Sequence, residues 1–189
     1  MSINLCVIGA GRIGRIHAAN IAAHPQATLR YIVDVDKSAA QKLAAETGAA
    51  AASVEDALGD ERIDAVVIAS STDTHLPLIE ACAHAGKPVF CEKPLDLDAG
   101  NAQKCIDAAA AASIALCVGF NRRYDPSFRR IRDLLAAGHI GALEVISITS
   151  RDPSPPPPDY VRRSGGLFRD MTIHDFDMAR WLLGAEPKF

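Results

Sequence analysis

Ile3-Asn4-Leu5-Cys6-Val7-Ile8-Gly9-Ala10-Gly11-Arg12-Ile13-Gly14 is the stretch on which the fold turns. Its first six residues are mostly apolar and rich in β-branched side chains, the pattern of a short strand covered on both faces. Three glycines then follow at Gly-x-Gly-x-x-Gly spacing and open a helix expected over 13–23. Strand, glycine turn and helix in direct succession are what a diphosphate site requires. Gly9 permits the tight turn, Gly11 lets backbone approach a phosphate, and Gly14 lets helix and strand pack closely. The helix start, with the backbone of Arg12 and Ile13, supplies unpaired N–H groups and positive potential.

Outward from this stretch the chain alternates. Strands are expected at 29–34, weakly at 49–52, and at 65–69, 88–91 and 115–118, the last closed by Gly119. Helices fall between them at 38–47 (stopped by Gly48), from Ser53-Val54-Glu55-Asp56, and at 76–85 and 99–112. Six strands joined by crossover helices predict a doubly wound parallel α/β sheet, a Rossmann domain over 1–119. Asp34 ends the second strand 20 positions after Gly14. An acidic residue there accepts hydrogen bonds from adenosine ribose hydroxyls and repels a 2′-phosphate. No arginine stands among Val35, Asp36 and Lys37, so NAD is the expected cofactor rather than NADP. A strand-end turn is the plainer use of an aspartate at this point.

Composition narrows the partners. The 189 residues exceed one typical domain and fall short of two, with 49% apolar and 23% charged residues. A net charge of −3 offers no long-range attraction to nucleic acid or anionic lipid. No run approaches a bilayer span and the start lacks signal-peptide character, so a cytoplasmic protein with no membrane partner is expected. Cys6, Cys82, Cys91, Cys105 and Cys117 show no Cys-x-x-Cys spacing and sit mostly in apolar runs. They read as reduced packing thiols, with no metal site.

After Gly119 the pattern changes. A helix over 126–137 ends at Gly138, and the alternation of 142–150 predicts a long, half-buried, antiparallel strand. The run Pro153-Ser154-Pro155-Pro156-Pro157-Pro158 is expected to be a stiff extended loop. Further on, Asp170, His174 and Asp177 lie four and three positions apart, on one side of a helix. Such an arrangement can hold and polarise an imidazole, whose ordinary pKa of about 6.5 suits a general base. A surface pair is the commoner use of that spacing.

Four ordered motifs carry a resemblance. The Gly-x-Gly-x-x-Gly start, Cys91-Glu92-Lys93-Pro94 at a strand end, Gly119-Phe120-Asn121-Arg122-Arg123-Tyr124-Asp125, and the later Asp-x-x-x-His resemble the glucose-fructose oxidoreductase, inositol dehydrogenase and rhizopine catabolism (Gfo/Idh/MocA) family. The resemblance implies NAD-dependent oxidation of a ring secondary alcohol of a polyol or sugar. It places Glu92 and Lys93 at the cofactor, with Lys93 also at the reacting hydroxyl, and gives Asp170 and His174 substrate-binding and acid/base roles. Arg122 becomes a substrate contact. The stretch around Ser150-Arg151-Asp152 and Gly165-Gly166-Leu167-Phe168 looks most like the myo-inositol 2-dehydrogenase branch, whose product is 2-keto-myo-inositol. A non-catalytic NAD-binding module, or a dehydrogenase of another sugar, remains open beside that reading. The resemblance covers only about the first half of the family's span. Residues 120–189 are therefore read as the truncated beginning of an α+β substrate and oligomerisation domain. The dimers or tetramers of the full-length family are doubtful for this chain.

Overall fold

A computed structural model describes residues 2–152 and 154–188. Met1, Pro153 of the proline run and the final Phe189 lie outside the described residues. The chain divides into two compact units, Met1–Gly119 and Phe120–Phe189.

The first unit is built on six parallel strands: β1 (Ile3–Ile8), β2 (Ala27–Val33), β3 (Ala50–Ala51), β4 (Ala65–Ile68), β5 (Val89–Cys91) and β6 (Leu116–Val118). Their order is β3-β2-β1-β4-β5-β6. The chain winds outward from β1 to β3 and then returns to lay β4 against the other side of β1. That reversal opens a crevice at the carboxyl ends of β1 and β4, where such sheets bind ligands. Between the strands run α1 (Arg12–Ala23), α2 (Lys37–Thr47), α3 (Val54–Gly59), α4 (His75–His84) and α5 (Ala99–Ala111).

Strand periodicity separates two apolar layers. Cys6 and Ile8 join one buried cluster with Val66, Ile68, Ile79 and Cys82, while Val7 and Val67 join the other with Leu29, Ile32 and Leu43. Both faces of β1 and β4 are thus dry, which is why their sequences do not alternate with polar residues. Local signals set the helix ends. Asp36, Ser53 and Asp98 accept backbone N–H bonds as N-caps of α2, α3 and α5, and Gly48 closes α2 at φ +73°. Four of the five cysteines are buried here, but Cys117 is exposed on β6, against the packing role expected of it. β6 is an edge strand, with β5 as its one neighbour in the sheet.

The second unit contains α6 (Pro126–Ala136), α7 (Pro158–Arg163) and α8 (Ile173–Leu183), with a π-helical turn at Phe168–Thr172. Asp125 caps α6 by accepting from the N–H groups of Ser127 and Phe128, with Pro126 in the first turn. Two expectations are corrected. Residues 142–150 form no strand. Among the described residues of this unit there is no strand to pair with, and alternation alone supplies no ladder hydrogen bonds. Val145 is 82% exposed and only Leu143 and Ile146 are half-buried, so the expected half-buried face is absent. Within the described part of the proline run, Pro157 has φ −57° and ψ 142°, but Pro158 departs from the expected extended loop and begins α7, its fixed φ being compatible with a first helical turn. No helix of the described residues is long and apolar enough to cross a membrane.

Candidate functional site

The glycine turn leaves the carboxyl end of β1 and has three differently constrained positions. Gly9 stands at φ +110°, and a Cβ there would lie 2.6 Å from the backbone of Ala69 and Ser70 after β4. At Gly14 a Cβ would meet the Gly9 carbonyl oxygen at 1.8 Å. Gly11 has nothing within 4 Å of such an atom. Two glycines are therefore demanded by the fold itself, whereas Gly11 keeps open the space that a bound group needs to reach the backbone. Gly11 also N-caps α1 without any side-chain cap bond, and the first turn of α1 holds no acidic residue. The leading N–H groups at Arg12 and Ile13 are left for an anion.

Asp34 follows β2 and braces this turn. One carboxylate oxygen accepts from the Ala10 N–H at 2.6 Å and the other from the Asp36 N–H at 2.8 Å. Each oxygen keeps a further acceptor position for a ribose hydroxyl. The neighbouring Asp36 is occupied in capping α2, and Val35 is fully exposed. These features fit a dinucleotide with an unphosphorylated ribose.

Cys91-Glu92-Lys93-Pro94 stands at the end of β5 on the same carboxyl edge of the sheet, with a cis peptide between Lys93 and Pro94. Glu92 is largely occupied within the protein. Its Oε1 lies 2.7 Å from His17 Nε2 on α1, and its Oε2 accepts the Lys93 N–H at 3.3 Å. The His17 ring also packs edge-on against Phe90. A Cβ on Gly119 would approach the Glu92 carboxyl group to 3.2 Å, so the glycine ending β6 makes room for that side chain. Glu92 therefore ties the glycine-turn helix to the Lys93 loop.

In the second unit the regular helix expected to carry both Asp170 and His174 is interrupted. Asp170 lies in the π-helical turn, buried, accepting a 2.7 Å bond from the Tyr160 hydroxyl. His174 lies in the first turn of α8, half-buried, with the Phe120 ring edge-on at 6.3 Å between centroids. A π turn is wider than an α turn, so the simple four-residue facing rule does not describe this pair. Asp177, expected beside the imidazole, is instead buried under Arg123 in a two-pronged ion pair at 2.8 and 2.5 Å. Arg122 is bound to Asp175, with Ser150 Oγ 3.3 Å away and donating to the same carboxylate at 2.7 Å. Burial raises the Asp175 pKa, but the bonds from Ser150 and Arg122 outweigh it and leave the carboxyl below its usual value. Arg122 thus offers its remaining N–H groups rather than a whole guanidinium.

Sequence reading missed His17 and His75. His17 is three residues beyond Gly14, but its partner is 75 positions away and no local pattern pairs them. His75 begins α4 and is 1% exposed.

Together, the reversed parallel sheet, the glycine turn and the acidic end of β2 define a dinucleotide-binding protein. Residues 3–120 match the model of the GFO/IDH/MocA oxidoreductase family, NAD-binding Rossmann fold, and residues 128–189 match the GFO/IDH/MocA C-terminal domain. The chain belongs to this family. It is 49% identical over 187 residues to an inositol 2-dehydrogenase of Rhizobium meliloti, covering 99% of this chain and 57% of that protein. A crystal structure of a myo-inositol dehydrogenase from Corynebacterium glutamicum superposes with a TM-score of 0.90 at 46% identity, over 96% of this chain and 55% of the other. A scyllo-inositol dehydrogenase from Lactobacillus casei, with bound NAD(H) and scyllo-inositol, gives a TM-score of 0.85 at 35% identity, over 98% and 57%. The chain therefore spans a little over half the length of the relatives it matches.

Proposed function

We propose that this chain carries the cofactor-binding and proton-transfer residues of an NAD-dependent polyol dehydrogenase, with myo-inositol as the favoured substrate and 2-keto-myo-inositol as the product. The observation that carries the reading is the open Gly11 turn braced by Asp34, on a chain similar over nearly its whole length to an inositol 2-dehydrogenase. In this reading the N–H groups at the start of α1 hold the diphosphate, and Asp34 accepts from the adenosine ribose hydroxyls. Bound NAD supplies the hydride acceptor. His174 takes the hydroxyl proton, and Lys93 stabilises the oxygen as negative charge develops on it. Asp170 orients the imidazole or the substrate, and Arg122 contributes a substrate contact. These roles are carried over from the family resemblance.

NADH formation with myo-inositol, scyllo-inositol and glucose, alongside calorimetric NAD titration, tests the proposal. Oxidation of myo-inositol in preference to the others is expected, with a rate that falls in acid as the base is protonated. His174→Ala and Lys93→Ala should each lower kcat by a factor on the order of 10² while NAD affinity changes little. NAD binding with no NADH from any polyol would leave a dinucleotide-binding module and overturn the catalytic reading.

A further inference from the structure

His75, 1% exposed, is more deeply buried than any other histidine or carboxylate among the described residues, and the proposed chemistry does not use it. Its Nδ1 lies 2.9 Å from the Pro94 carbonyl oxygen and its Nε2 lies 3.3 Å from the Ser70 carbonyl oxygen. Both facing atoms are acceptors, and a neutral imidazole carries one N–H. The shorter contact places that proton on Nδ1, donated to Pro94. A buried imidazole is costly to desolvate, and an apolar side chain would fill the same volume without that cost. Removing the donor would strand the buried Pro94 carbonyl.

The two carbonyls belong to loops with different duties. Ser70 follows Ala69, and these two residues form the wall against which Gly9 of the glycine turn is packed. Pro94 follows Lys93 directly. On the other side of Lys93, the Glu92 N–H donates to the Ile68 carbonyl at 2.9 Å and the Glu92 side chain is engaged by His17. Lys93 thus stands between two anchored neighbours, and His75 is the anchor on the Pro94 side.

We propose that His75 is a positioning residue for Lys93: its Nδ1–H bond to the Pro94 carbonyl fixes the Pro94–Leu95 peptide, one residue beyond Lys93, and ties it to the start of α4. The proposal rests on Lys93 having a role at the cofactor, but its test reads where Lys93 is rather than what it catalyses. If Lys93 proved dispensable for turnover, the positional result would be untouched.

Two NMR measurements on the whole chain test this. Ring-nitrogen spectra, with His75 assigned from its loss in His75→Asn, are expected to find Nδ1 protonated at neutral pH. Lysines carrying isotope-labelled methyl groups, with Lys93 assigned through Lys93→Arg, report the surroundings of that amine. The Lys93 signal should stay near its original position in His75→Asn, which keeps an N–H donor near Nδ1. It should shift in His75→Gln, whose amide reaches toward Nε2, and in His75→Leu, which keeps neither donor. A neutral His75 with its proton on Nε2 would overturn the proposal, as would an unmoved Lys93 signal in folded His75→Leu. Should the leucine variant fail to fold, the ring-nitrogen spectrum of the unmodified protein still decides.

Discussion

Gly14→Ala and Gly11→Ala differ in position by three residues, yet they should separate folding from cofactor binding. At Gly14 the added Cβ would sit 1.8 Å from the Gly9 oxygen and 2.8 Å from its carbonyl carbon, where ordinary contact begins near 3.4 Å. The deficit is 3.4 − 1.8 = 1.6 Å against main chain, which cannot swing aside as a side chain can. Overpacking of this kind typically costs 1–3 kcal/mol, and a backbone obstacle places it at about 3 kcal/mol. For a unit of this size, that corresponds to a fall in melting temperature of roughly 10 °C. Gly11 has φ −70° and open space, so its alanine variant should lose about 1 kcal/mol at most, through weaker N-capping. Its methyl group would instead occupy the approach to the helix N–H groups, and NAD affinity should fall by about tenfold or more, equivalent to roughly 1.4 kcal/mol. Thermal unfolding and NAD calorimetry on both variants make the comparison. A Gly14→Ala protein that melts with the unmodified one, or a Gly11→Ala protein that binds NAD equally tightly, would refute the division of labour assigned to the two glycines.

Three further outcomes are expected. NAD should bind more tightly than NADP, and Asp34→Ser with Val35→Arg should narrow or reverse that gap; equal affinities in the unmodified protein would remove Asp34 from ribose recognition. Because the Asp175 carboxyl is held below its usual range, the stability it contributes is complete above the unfolded value near 3.9 and is lost as pH falls through the folded value. Acid melting followed through Trp181, the one tryptophan, should therefore show a flatter acid limb in Asp175→Asn; an unchanged limb would count against the Arg122–Asp175–Ser150 cluster. Arg123→Met should leave buried Asp177 without its two-pronged partner and destabilise the second unit by about 2 kcal/mol, tempered by the partial exposure of Arg123. An unaltered melt in the same fluorescence assay would contradict this.

The first unit was legible because its instructions are local. An unbroken apolar run, a glycine turn, an acidic cap or a closing glycine each acts within a few residues, and β1, α1, α2 and Asp34 follow directly. What escaped reading depends on partners distant in sequence. His17 finds Glu92 and Arg123 finds Asp177 only after the chain has folded, and nothing near either residue announces the choice. The 142–150 segment failed for a related reason: alternation describes a surface suited to pairing, and pairing needs a second strand. The π turn at Phe168–Thr172 likewise shifts Asp170 relative to α8 in a way that a helical wheel does not represent.

Cys6, Cys82, Cys91 and Cys105 all belong to the apolar layer under α3, α4 and α5, and none lies beneath α1 and α2. Burial pushes the Cys6 and Cys82 thiols up to about 12 and Cys105 to about 11, and Cys91 is also raised. In the closed protein these sulfurs are protonated and sheltered, so alkylation waits for the layer above them to open. Their labelling rates form a one-sided clock of breathing motions, silent about the other face of the same sheet. Exposed Cys117, reacting without any opening, supplies the internal reference against which that clock is read.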